Sequence, residues 1–111
     1  MTDKDKKHLF DIKNAISEID IIVGDNKNFA YYKEHIPTKR AIERELKIIG
    51  EAINRFKKSS PEIEITHAKA IIGLRNRITH AYDSIDDGTI WGIVINHIPA
   101  LLTEVEILLG K

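Results

Sequence analysis

Leu9, Ile12, Ile16, Ile19 and Val23 recur at steps of three and four residues, and Ile42, Leu46, Ile49, Ile53 and Phe56 repeat the rhythm further along. At 3.6 residues per turn this spacing lays each set along one stripe of an amphipathic helix, whereas a strand would alternate every second residue. Gly24-Asp25-Asn26 should end the first helix, and Pro37 with Thr38 as N-cap should open the second. Lys57-Lys58-Ser59-Ser60-Pro61 closes it, and Phe29 to His35 reads as a short aromatic turn between the two. Glu62-Ile63-Glu64-Ile65 alternates like a strand, but no other segment offers it a partner, so it is read as a loop.

A third helix is expected from a Thr66 cap through Ala70, Ile71, Leu74 and Ile78 to near Tyr82. A fourth follows Asp83-Ser84-Ile85-Asp86-Asp87-Gly88, with Ile90, Val94, Ile98, Leu101, Leu102, Val105, Leu108 and Leu109 as its apolar face. Pro99 falls inside that pattern and should kink the helix, because proline removes a donor and crowds the preceding turn. Short links between such helices predict an all-α, up-down antiparallel four-helix bundle, with one domain over residues 1–111.

The 111 residues suffice for a single core. With no cysteine there is no disulfide, thiolate metal site or thiol nucleophile, and a reducing compartment is expected. The charged start Met1-Thr2-Asp3-Lys4-Asp5-Lys6-Lys7 is unlike a secretory signal, and no uninterrupted apolar run approaches the roughly 20 residues of a membrane span. The expectation is a cytoplasmic protein without a membrane partner.

Formal charge is zero but unevenly spread: net −1 over residues 1–37, +5 over 38–80 and −4 over 81–111. The central excess suits a local anionic partner better than tight non-specific binding to long nucleic acid.

That excess ends at Arg75-Asn76-Arg77-Ile78-Thr79-His80-Ala81-Tyr82, which gathers a phosphate-gripping cation, an imidazole and a phenol within eight residues. On a helix Asn76 and His80 share a face, with Arg75 reaching in from about 140° away. Two copies packed about a two-fold axis would bring two histidines, two asparagines and two arginines to one cleft, which suits RNA cleavage without a metal. Taken alone, the same residues fit an ordinary helix end, with His80 favouring the dipole and Arg75 and Arg77 as solvated charges.

His8, His35, His67 and His97 lack the helical pairing of a zinc site and are read as surface or boundary residues. Capping by the aspartates explains Asp83, Asp86 and Asp87 better than a metal shared with His80. Trp91 and Phe56 are read as core anchors, since each falls in an apolar run. In Ile48-Ile49-Gly50-Glu51-Ala52 the small residues should admit a neighbouring helix, with Glu51 placed to orient Arg75 or Arg77.

Arg75, four residues, His80, one residue and Tyr82, together with Ile71-Ile72-Gly73-Leu74, Asp83-Ser84-Ile85-Asp86, Ile90-Trp91 and the upstream Ile-Ile-Gly-Glu-Ala, resemble HepT-like proteins of the HEPN superfamily. The likeness spans residues 38–109, while helix one agrees in pattern only. It implies a HEPN-like bundle and a dimeric endoribonuclease toxin of a two-gene bacterial module, restrained by a nucleotidyltransferase antitoxin of the MNT type. It also implies Arg75 and His80 as catalytic residues, Asn76 as the polar residue beside them and Tyr82 as the site of AMPylation, with no cofactor. Ala81 replaces the glycine many relatives carry there. A competing reading is a non-catalytic helical module that binds the nucleotidyltransferase or a nucleotide.

Overall fold

The structure, a computed structural model, describes residues 1–25, 27–80 and 86–110. Helices α1 (Asp3–Val23), α2 (Phe29–Glu34), α3 (Ile36–Ser59) and α4 (Ala68–His80) are followed by α5, continuous over Asp87–Leu108. There is no strand among the described residues, and Glu62 to Ile65 is loop as expected.

The long helices run antiparallel to their neighbours. Asp5 at the start of α1 meets Ser60 just beyond α3, and Lys13 of α1 faces Glu106 near the end of α5. Gly50 of α3 abuts Ile71 and Arg75 of α4. Leu9, Ile12, Ile16 and Ile19 of α1 join Ile42, Leu46, Ile49, Ile53 and Phe56 of α3 in the core, all at most 1% exposed. Ile71 and Leu74 extend the core from α4, and Ile90, Ile93, Val94, Ile98, Leu101 and Val105 from α5. Most of the periodic residues thus form the core as expected, but Val23, Ile78, Leu102, Leu108 and Leu109 are only partly buried and Ala70 is exposed. The molecule measures 41 × 31 × 19 Å, so it is about two helices thick and each long helix keeps an outward face.

The ends of the helices differ from expectation in two places. Thr38 does not cap α3. His35 does, its Nδ1 accepting the Thr38 N–H at 3.2 Å with the Thr38 hydroxyl 2.7 Å away, because the helix begins at Ile36, three residues earlier than expected, with Pro37 in its first turn. Nor does Thr66 cap α4. Its N–H and hydroxyl both donate to Glu104 Oε2, at 3.1 and 2.9 Å, which ties the loop to α5. Gly24 ends α1 at φ 61°, a conformation glycine adopts without strain. Asp86 caps α5 by accepting the Thr89 N–H at 3.0 Å.

Pro99 leaves α5 unbroken. Residues Ile93–His97 form a π turn, and the Ile98 N–H reaches back five residues to Ile93 O, which makes room for the proline ring and its missing donor. Because the helix continues through that turn, it satisfies the length and apolarity of a membrane span, with mean hydropathy 1.3, contrary to expectation. Its buried stripe packs on α1, as the core helix of a bundle does.

Trp91 sits 5.1 Å from Tyr32 and 6.2 Å from Phe29 between ring centroids, so α2 serves as an aromatic clasp for α5, and Phe56 is fully buried. The Tyr32 hydroxyl is out of solvent with no hydrogen-bond partner among the described residues, a net burden on the fold. Tyr32→Phe should therefore leave stability unchanged or raise it by about 1 kcal/mol. A urea midpoint well below that of the wild type would show that the hydroxyl does bond.

Glu45 is buried at 2% exposure on the core side of α3. Burial first, and then the neighbouring Glu18 carboxyl, push it up to about 7 from its ordinary 4.5. Between those values the folded chain retains a proton that the unfolded chain has released, so stability falls as pH rises through the window, by about 1–3 kcal/mol. Asp5 acts oppositely: hydrogen bonds led by Ser59 and the Thr2 backbone hold it well below the usual carboxylate range, and its contribution is lost as pH falls below 3.8. Thermal unfolding should show Tm declining from about pH 4.5 to 7, and Glu45→Gln should flatten that decline.

Candidate active site

Helix α4 carries the charged motif, and a glycine fixes where it lies. A Cβ placed on Gly50 would overlap Arg75 Cβ, and would stand 3.0 Å from Arg75 Cγ and 3.2 Å from Ile71 O. The α3 backbone therefore approaches the base of the Arg75 side chain closely, and this sets the height at which that arginine leaves the helix. The small-residue segment does admit the neighbouring helix, as its composition suggested.

From that base the guanidinium turns toward Asn76, and Arg75 Nη1 donates to Asn76 Oδ1 at 2.7 Å. This contact brings the arginine around to the face on which Asn76 stands, and helix register places residue 80 on the same face, four positions on. Arg75 is partly exposed, while Asn76 and Arg77 are exposed. The remaining guanidinium N–H groups can grip a phosphate oxygen, and the Asn76 amide keeps its own donors. His80 is the last residue of α4; its side chain, like Tyr82 and Asp83, lies outside the described residues.

Glu51 does not take the supporting role expected of it. Its Oε1 accepts from Arg55 at 2.6 Å, one turn along the same helix, a pairing that intrahelical geometry favours over a cross-helix reach. Beside the motif, an open groove of about 540 Å³ between α3 and α4 is lined by Arg40, Arg44, Lys47, Ile48 and Ile78, with Glu43 and Glu51. Arg40 is paired with Glu43 at 3.1 Å. The local positive excess therefore borders the motif.

His35, His67 and His97 are half-buried, as boundary residues were expected to be, and His8 alone departs from that reading. His8 is buried, His35 caps α3, and the rings of His67 and His97 stand 4.3 Å apart with His97 Nδ1 buried and unpartnered. The first lay on the α1 stripe, one residue before Leu9, where its burial was readable. The His67–His97 contact joins a loop to the π turn and had no signal in the spacing. No group of three or more metal-ligating side chains is present among the described residues. Asp86 caps α5 as expected, whereas Asp87, in the first turn, pairs with Lys39 at 3.1 Å.

A family model described as ribonuclease HepT-like matches residues 12–108. A protein of Methanocaldococcus jannaschii named as a putative RNase is 34% identical over 109 residues, covering 92% of this chain and 94% of the relative. A second so named from that organism is 30% identical, covering 88% and 81%. A third, from Caldanaerobacter subterraneus subsp. tengcongensis, is 28% identical, covering 90% and 92%. No solved structure gives a significant match.

Proposed function

The chain belongs to the HepT-like family of ribonucleases, and on that premise we propose that it cleaves RNA without a metal, as a homodimer whose two α4 motifs face one cleft. The observation that carries this reading is the Arg75–Asn76 hydrogen bond on α4, which draws a guanidinium toward the helix face that, by register, also carries residue 80. One imidazole takes the proton of a ribose 2′-hydroxyl, and the oxygen attacks phosphorus to give a 2′,3′-cyclic phosphate. The second imidazole, protonated, delivers its proton to the departing 5′-oxygen. Arg75 stabilises charge on the phosphoryl oxygens as it accumulates, and Asn76 holds the guanidinium in place. DNA, lacking the 2′-hydroxyl, is spared.

The wider proposal is a cytoplasmic toxin of a two-gene module, with an MNT-type nucleotidyltransferase as its antitoxin. AMPylation of Tyr82 would add bulk and negative charge beside the motif and repel the RNA backbone. Purified protein should cut single-stranded RNA in excess EDTA; activity that vanishes with the chelator and returns with a divalent ion would remove the metal-free mechanism. Co-expression with the neighbouring nucleotidyltransferase should add adenylate mass to the peptide containing Tyr82, and an unmodified peptide beside an active partner would refute that arm.

A further inference from the structure

Between α1 and α3 lies a second open cavity, of about 430 Å³, which the ribonuclease reading leaves unused. Glu18 of α1 and Glu45 of α3 both line it. Glu45 is 2% exposed, and its Oε2 is out of solvent with no hydrogen-bond partner among the described residues. A carboxylate so placed is unfavourable unless a positive group meets it.

The charged groups around the cavity do not supply one. From α3, Arg44 approaches Glu45 Oε1 only to 4.0 Å with 78% of its side chain exposed, and Arg55 is held by Glu51 at 2.6 Å. From α1, Asp11 is paired with Lys7 at 3.1 Å, His8 is buried in the wall, and Glu18, whose carboxyl hydrogen-bonds that of Glu45, adds a like charge rather than a cation. Two carboxyl groups thus share a cavity of ligand-binding size without a cation seated between them. No cluster of three ligating side chains is present among the described residues, so the site suits a cation that donates N–H bonds better than a bare metal ion.

We propose that the α1–α3 cavity binds an ammonium or guanidinium group, with Glu18 and Glu45 as its two anionic ligands. Burial holds Glu45 largely protonated below about pH 7. An arriving cation favours the ionised form, so binding expels a proton and strengthens as pH rises toward 8. The cation belongs either to a small free polyamine or to a basic side chain of a second copy of this chain, and the two sources are separable.

Spermidine titrated calorimetrically into the full chain at pH 7, in two buffers of different ionisation enthalpy, is expected to bind saturably with net proton release. Glu45→Gln, which matches the protonated carboxyl in shape, should weaken it at least tenfold and remove the buffer dependence. Glu18→Gln, on the exposed rim, provides the same test should the buried substitution fail to fold. If a second copy supplies the cation, spermidine binds poorly while either substitution shifts the sedimentation monomer–dimer equilibrium at least tenfold. Spermidine binding indifferent to both substitutions, or neither binding nor a shift in assembly, overturns the proposal. RNA cleavage is not the readout, so these outcomes are independent of the nuclease reading.

Discussion

His80→Ala should lower RNA cleavage by about a thousandfold, the middle of the range for loss of a general acid or base, with the helical circular dichroism unchanged. The fold should survive because residue 80 ends α4, and the helix is held by Ile71 and Leu74 further back. Arg75→Ala should cost about a hundredfold, and Arg75→Lys should recover little of it, since a lysine cannot bond Asn76 while gripping a phosphate through a planar fork. Asn76→Ala frees the guanidinium without removing its charge, so a smaller loss is expected, expressed in kcat more than in KM. Comparable activity in wild type and His80→Ala would end the catalytic assignment and leave a binding module.

Gly50→Ala should destabilise the bundle by about 1–3 kcal/mol and depress cleavage together. Two effects compete there. Alanine favours a helix over glycine by about 1 kcal/mol, but the added methyl meets Arg75 Cβ and Ile71 O, which no rotamer change can move aside. The steric term wins, and α4 must retreat from α3, taking Arg75 with it. Gly73 is the internal control: nothing lies within 4 Å of a Cβ placed there, so Gly73→Ala should gain stability by up to about 1 kcal/mol. Equal effects at the two glycines in urea titrations would show that the close approach at residue 50 is absent in solution.

The bundle was legible because apolar residues at three- and four-residue steps leave a helix only one way to bury itself, and Ile42, Leu46, Ile49, Ile53 and Phe56 do so. The cap at His35 was harder to see, since histidine is an uncommon cap and Thr38 stood two residues inside the helix. Glu45 lies three residues past Ile42 on the same stripe, but a carboxylate carries no sign of burial in the apolar periodicity. Glu51 and Arg55 are four apart, so their pairing was readable from the helical spacing alone. The Arg75–Asn76 bond depends on a rotamer, and spacing alone says nothing of it. Proximity of His67 and His97 depends on how a loop lies over another helix, which only the folded chain determines.

The wide turn at Ile93–His97 amounts to a phase correction inside α5. It accommodates one residue more than a straight helix of equal reach, and by doing so keeps Ile98, Leu101 and Val105 in step with Ile90 and Val94 above α1. Deleting a single residue there would let the turn close into an ordinary α-helix with Leu101 and Val105 still seated, but it would bring the Pro99 ring against the carbonyl of the preceding turn. At this point in the chain length matters more than side-chain identity, and an indel would do harm that a conservative exchange would not.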